Sequence, residues 1–404
     1  MDIPLLFTTR IIRLFCYGFL SVILALYLAE TGLTEPQIGL LFTLTLAGDA
    51  VITLWLTTSA DRWGRRKVLA VGSILMAGAG LGFVLTRNYI LLILAAIIGV
   101  ISPADKDIGP FLSVEQSSLS HLLPNEKRTQ MFAWYNLAGS FASALGALTG
   151  GWLAQFLQNN GWGVFESYRA ILMVYAFGGL ILLLLFLNLS PSIEVKTEHA
   201  PRSAQGTLGL RRSRNVVFKL SSLFALDAFA GGLIVQSMIA YWFLKRFGVD
   251  EGTLGSIFFG ANILAGISAL LAARIANRFG LINTMVFTHI PSNVMLICVP
   301  LMPTLPLAVG LFVLRFSVSQ MDVPTRQSYT MAVVDPDERS AAAGVTAIAR
   351  SVGAAISPSL TGLLFSVPAL LMLGAPLLLS GGLKIIYDLL LYREFRAVKP
   401  PEEK

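Results

Sequence analysis

The chain has 404 residues, 55% of them hydrophobic and only 13% charged, with a mean hydropathy of +0.71. A soluble protein of that length needs far more polar surface, so the composition excludes a soluble fold and makes the bilayer the solvent. A formal net charge of +7 would suit a nucleic-acid binder, but the basic residues fall in alternate loops between apolar runs, which marks membrane topology and excludes nucleic acid as a partner.

Apolar runs at about 5–30, 36–59, 68–86, 89–122, 129–157, 168–190, 216–244, 252–273, 283–302, 304–332, 340–366 and 368–392 predict twelve membrane helices, a span needing about 20 residues. Met1 to Arg13 holds two arginines, and no small-residue cleavage site precedes the next span, so the first run reads as a retained helix and not a signal peptide. Roughly 19 Lys and Arg fall on one side of the spans and about four on the other, which predicts both termini cytoplasmic. Cys16 and Cys298 lie in apolar runs and indicate neither a disulfide nor a metal site.

The second span carries Asp49 at mid-depth. A carboxylate inside a span is expensive and usually functional, which makes Asp49 the candidate for binding and releasing a proton. Its structural alternative is a pair with an arginine such as Arg13 or Arg350. The loop that follows, Asp61-Arg62-Trp-Gly64-Arg65-Arg66-Lys67, is a dense basic cluster pinned between two spans. Gly64 permits a tight turn, and Asp61 can cap a helix or accept from an arginine. The fourth run is too long for one span and is interrupted by Ser102-Pro103-Ala-Asp105-Lys106-Asp107-Ile-Gly109-Pro110. A break within the membrane frees backbone groups, and such breaks are where transporters bind cargo. Asp105, Lys106, Asp107 and, further on, Glu115 are therefore candidates for the substrate pathway. With no His or Cys beside them, no metal site is assigned. In the fifth span Gly146, Gly150 and Gly151 allow close helix packing, as Gly353 and Pro358 do in the eleventh.

Segment 191–215 is polar and rich in Pro, Ser and Arg, and reads as a cytoplasmic linker. It divides a bundle over 1–190 from a second over 216–392, with a cytoplasmic tail at 393–404. The halves are related. Pro124-Asn-Glu-Lys127 matches Pro336-Asp-Glu-Arg339, Gln116-Ser117 matches Gln327-Ser328, and Asp61-Arg-Trp-Gly64 matches Asn277-Arg-Phe-Gly280. Such repetition is the mark of a transporter made of two similar bundles with a site near the midplane. In the second half Asp227, Gln236, Arg315, Asp322 and Arg326 are the ionisable or polar pathway candidates. Asp322 and Arg326, four apart, can pair on one helical face, and Glu115 and Arg326 are repeat partners. Lys384 and Asp388 read as a pair at the cytoplasmic end of the last span, and His121 and His289 as lying near helix ends.

The chain resembles the major facilitator superfamily over essentially its whole length: six spans, a basic central loop, six spans. The loop motif of that superfamily, G-x-L-a-D-r-x-G-r-k-x-x-l, falls on Thr57, Ser59, Asp61, Arg62, Gly64, Arg65, Arg66 and Leu69, with Thr and Ser in place of the leading Gly and Leu. The resemblance implies an all-α membrane fold of twelve transmembrane helices in two pseudo-symmetric six-helix bundles. It also implies that Asp61, Arg62, Gly64, Arg65 and Arg66 form a charged conformational gate. Gly146-Ala-Leu-Thr-Gly150-Gly151 is similar to the export-associated G-P-x-x-G-G motif, with Ala147 for Pro. The expectation is a monomeric plasma-membrane secondary transporter of a small-molecule substrate, working by alternating access as a proton-driven exporter without cofactor or metal. The alternatives are an uptake symporter or uniporter and, more remotely, a non-transporting receptor or scaffold. The sequence has no Walker motif and no nucleophile, base and cofactor constellation, so neither ATP-driven transport nor an enzyme is expected.

Overall fold

The computed structural model describes residues 2–104, 109–123, 125–194, 210, 212–335 and 337–398. Among them the chain is helical, with no strand. Its first helices are α1 (Asp2–Ser21), α2 (Leu24–Glu30), α3 (Glu35–Trp63), α4 (Arg65–Leu85), α5 (Tyr89–Ile98), α6 (Phe111–Leu122), α7 (Asn125–Asn159) and α8 (Val164–Leu187). They are followed by α9 (Arg214–Gly232), α10 (Gln236–Phe247), α11 (Glu251–Phe279), α12 (Leu281–Cys298), α13 (Leu305–Ser319), α14 (Asp322–Val333), α15 (Arg339–Phe365), α16 (Pro368–Leu373) and α17 (Ala375–Phe395). Helices are what lipid demands, because every backbone N–H and C=O must be bonded within the protein. Eleven segments among the described residues are long and apolar enough to cross a bilayer. The broken pair α5 and α6 supplies the twelfth span. Large apolar side chains such as Val51, Leu85, Ile90 and Leu184 point outward, as a lipid-facing surface requires.

Among the described residues, four spans are each made of two helices: α1–α2, α5–α6, α9–α10 and α13–α14. These are the first, fourth, seventh and tenth, one break in every three spans. Only the break in the fourth was legible in the sequence. Each frees carbonyls, and hydroxyls from neighbouring segments take up several of them. Ser237 Oγ donates to Ser21 O and to Pro103 O, both at 2.7 Å, and Tyr175 OH bonds Val100 O. Ser357 Oγ donates to Phe229 O at 2.6 Å and Thr361 Oγ1 to Leu233 O at 2.8 Å. Serine and threonine in otherwise apolar helices are here the means of breaking a helix inside a membrane.

The chain forms two compact units, one of Met1–Ala200 with Val235–Asn262, the other of Pro201–Ile234 with Ile263–Lys404. In the first unit α1 lies along α7 and α4 along α8; in the second α9 lies along α15 and α12 along α17. The pairing repeats six spans later. Glycines set its distance. A Cβ on Gly146 would fall 2.1 Å from Phe15 O, and one on Gly150 2.4 Å from Phe19 O. Gly151 faces α11 instead, where a Cβ would fall 2.2 Å from Glu251 O. In the second unit Gly353 would meet Ala225 O at 2.3 Å, and Pro358 sits inside α15 without ending it. At the α3–α4 and α11–α12 turns, Gly64 has φ 97° and Gly280 φ 84°, a region that disfavours a side chain.

Gly146→Val is expected to force α1 from α7 and to lower stability by about 1–3 kcal/mol. Gly78→Ala, where a Cβ meets nothing within 4 Å, should leave the melting temperature unchanged or higher. Thermal unfolding of the two purified variants checks both.

Candidate functional site

Ionisable side chains buried in the spans define the candidate site, and each unit has its own set. In the first unit Arg13 of α1 and Glu115 of α6 are completely buried. They form a two-pronged pair, Nη1 to Oε1 at 2.7 Å and Nη2 to Oε2 at 2.6 Å. Thr9 Oγ1 donates to Glu115 Oε1 at 3.1 Å, and Tyr135 OH bonds its other oxygen. The guanidinium also lies over the Phe111 ring, 4.7 Å from its centroid. Both charges are thus neutralised by geometry that only arginine provides.

Asp49 is half-buried in α3. Its Oδ1 accepts the Gly109 N–H at 2.6 Å and the Thr53 hydroxyl at 3.3 Å, so the carboxylate ties α3 to the chain just before α6. Neither Arg13 nor Arg350 pairs with it in these bonds: the first is on Glu115, the second on Asp227. Asp105, Lys106 and Asp107 lie outside the described residues.

The basic loop is held from below by a residue the sequence did not single out. Glu194 accepts the backbone N–H groups of Arg65 at 2.7 Å and Arg66 at 3.1 Å. A carboxylate at the start of α4 satisfies two free donors and complements the helix dipole. Arg65 is buried, donating to Ile193 O at 3.2 Å and to Ser117 Oγ at 2.6 Å, and Arg66 bonds Leu187 O. Arg62 is exposed. Asp61 belongs to α3, but its side chain lies outside the description. Asp2 accepts from Ser190 N at 3.0 Å, so the first residues after α8 are anchored at two points. Composition had placed Glu194 in a flexible linker; an acid three residues past a proline carries no signal of its distant partner.

The second unit gathers more charge. Asp227 of α9 receives Arg326 Nη1 and Arg350 Nη1, both at 3.1 Å, and Lys384 Nζ at 2.7 Å. Asp322 adds a second carboxylate on Arg326, 2.8 Å away. Four helices, α9, α14, α15 and α17, meet through these five side chains. Lys384 therefore does not pair with Asp388, as its sequence spacing had indicated. Asp388 is instead bonded to His289 Nδ1 at 2.9 Å and to Asn293 Nδ2 at 3.2 Å. His289 is not near a helix end but within α12, buried. Arg315 is buried in α13, its guanidinium set over the rings of Phe316 at 4.6 Å and Phe312 at 5.8 Å. Gln236 belongs to the first unit, where it donates to Ser21 Oγ at 2.7 Å. Asp227, Asp322 and Arg326 are thus brought together; Arg350 and Lys384 join them and had been missed because their partner lies over a hundred residues away.

A twelve-span helical chain with breaks in every third span and ion pairs buried beside them has the frame of a membrane transporter. Residues 6–358 match the family model described as Major Facilitator Superfamily, and the chain belongs to that family. It is a multi-pass integral membrane protein that carries out secondary transport, not an enzyme. It is 32% identical to the Uncharacterized membrane protein YJR124C of Saccharomyces cerevisiae, over 98% of this chain and 94% of that one. It is 24% identical to the Quinolone resistance protein NorA of Staphylococcus aureus over 34% of each chain. Among solved structures, a point mutant of the nucleoside transporter NupG matches with a TM-score of 0.79 at 15% identity, covering 97% of this chain and 99% of that one. A bacterial homologue of the human lysosomal transporter Spinster, inward-facing and occupied, matches at 0.74 and 17% identity, covering 98% and 96%. These likenesses concern the fold.

Glu115→Gln should strand the Arg13 charge in the core and destabilise the protein by about 3–5 kcal/mol. Thermal unfolding of the purified variant reads that loss; a melting temperature equal to wild type would show that the pair holds nothing together.

Proposed function

We propose that the chain exports a small solute across the plasma membrane in exchange for protons. It works as a monomer with both termini in the cytoplasm, and its two six-span bundles, 1–190 and 216–392, are joined by 191–215. The observation that carries the reading is Asp227, one buried carboxylate held by three cations from three other helices. Alternating access needs contacts that are made in one state and remade in another. A carboxylate with more cationic partners than it can neutralise is such a contact, because any partner can leave while the others stay.

Asp49 is the proposed proton carrier. Its bond to the Gly109 N–H puts a titratable group on the broken fourth span, where a change of charge alters how that break is held. Asp105, Lys106, Asp107, Glu115, Gln236, Arg315, Asp322 and Arg326 line or border the pathway in this proposal. Asp61, Arg62, Gly64, Arg65 and Arg66 gate the cytoplasmic side, with Glu194 fixing the turn. Export over uptake is supported by the Gly146–Gly151 run and by the partial likeness to a quinolone resistance protein.

Inverted membrane vesicles containing the full chain, acidified inside and offered small solutes including a quinolone, test the proposal. Solute should accumulate inside as protons leave, and Asp49→Asn should abolish that accumulation at equal expression. Gradient-driven loss of solute from preloaded vesicles would establish uptake instead, and unchanged flux in Asp49→Asn would remove Asp49 from the mechanism.

A further inference from the structure

Arg315 breaks the pattern of paired buried charge. It lies ten residues past Leu305, the first residue of α13. That is about 15 Å along the helix, half the depth of a hydrocarbon core of about 30 Å. The residue is buried, at 7% exposure. Arg13, Arg326, Arg350 and Lys384 each meet a carboxylate. Among the described residues Arg315 meets none. Its guanidinium lies over the rings of Phe316 and Phe312, and its Nε has no hydrogen-bond partner in the protein. Ring faces attract a cation but carry no charge to neutralise it, and an unpaired charge within a span is costly.

Ser319 lies one turn further on, on the same face of α13. It is buried at 5% exposure, and its Oγ also has no partner. A buried hydroxyl in a helix ordinarily bonds the carbonyl one turn back, as Thr325, Thr330 and Thr346 do in this unit. Ser319 does not. Two unpartnered polar groups thus stand one turn apart, directly before the break between α13 and α14. The buried acids of the neighbouring spans are committed elsewhere. Asp227 and Asp322 serve Arg326, Arg350 and Lys384, and Asp388 is bonded to His289 and Asn293. One positive charge in the middle of the tenth span is left without an opposite, and neither it nor the bare hydroxyl stabilises the fold.

We infer that Arg315 and Ser319 bind the acid group of the transported solute, and that this solute is an organic monocarboxylate. A guanidinium presents two parallel N–H groups that fit the two oxygens of a carboxylate. The Ser319 hydroxyl supplies a further donor one turn away. One unmatched cation calls for one negative charge, which a carboxylate supplies and a phosphate dianion exceeds. The two phenylalanines keep water from the ion pair, which strengthens it in a medium of low dielectric constant. That the bound acid is also the exported solute rests on the proposal above; the binding site stands on α13 alone.

Thermal unfolding of the full chain in phosphatidylcholine nanodiscs, whose lipid has no net charge, tests the site. Without solute, Arg315→Met, close in length and uncharged, should melt higher than wild type. Benzoate and hexanoate should raise the wild-type melting temperature, and benzamide and hexanamide should not. Arg315→Met should lose the response to both acids, and Ser319→Ala should bind them about tenfold more weakly. Arg315→Lys, which keeps the charge and loses the fork, should bind them more weakly than wild type. Acids that stabilise Arg315→Met as much as wild type, no wild-type response to either acid, or an Arg315→Met variant that melts lower or does not fold each overturn the inference. Binding as described without proton-coupled flux in vesicles keeps this site and rejects the export proposal. Coupled flux with no acid bound at Arg315 rejects this site alone.

Discussion

A charge inside a bilayer must find its opposite within the protein, and that requirement organises this molecule. The Arg13–Glu115 pair joins the first and fourth spans of one unit, and the Asp227 cluster joins the seventh, tenth, eleventh and twelfth spans of the other. Removing one member of a buried pair leaves a charge that lipid cannot solvate, so the helices carrying such residues are held in register far more strictly than apolar contacts alone would hold them. Glycine-mediated contacts between α1 and α7, and between α9 and α15, bring the backbones close; the ion pairs decide which turn faces which.

The same constraint explains the broken spans. A helix interrupted in the membrane frees carbonyls, and the nearby hydroxyls of Ser237, Tyr175, Ser357 and Thr361 accept that burden. The Arg13–Glu115 and Asp227–Arg326 pairs each join two broken spans. The places where backbone and side chain both depend on specific partners are therefore the places where a change of partner can move a helix. A transporter needs such places, and an inert scaffold does not.

Much of this was legible in the sequence. Span number, the internal repeat and the two glycine turns follow from hydropathy and local spacing, which are properties of neighbouring residues. The i, i+4 contact of Asp322 with Arg326 was legible for the same reason. Contacts between distant residues were not. Lys384 and Asp388 share a helical face and looked like partners, but each is drawn to another helix, Lys384 to Asp227 and Asp388 to His289. Glu194 sat in a segment whose composition indicated only flexibility, and it caps α4. The breaks in the first and seventh spans had no clear marker, because hydroxyls from elsewhere in the chain, those of Ser237, Ser357 and Thr361, make such interruptions tolerable.

Glu115 and Arg326 are repeat partners of opposite sign. Arg13 lies eight residues before the end of α1 and Asp227 five before the end of α9, less than one turn apart in register. The two halves thus keep a pair between corresponding spans and reverse its polarity, which means that pairing, not the sign at either position, is what the fold requires. Thermal unfolding of Arg13→Glu, Glu115→Arg and the double exchange tests this most directly. Each single variant should lose most of its folded protein, and the double exchange should recover most of the wild-type melting temperature. A double exchange as unstable as either single change would contradict the account.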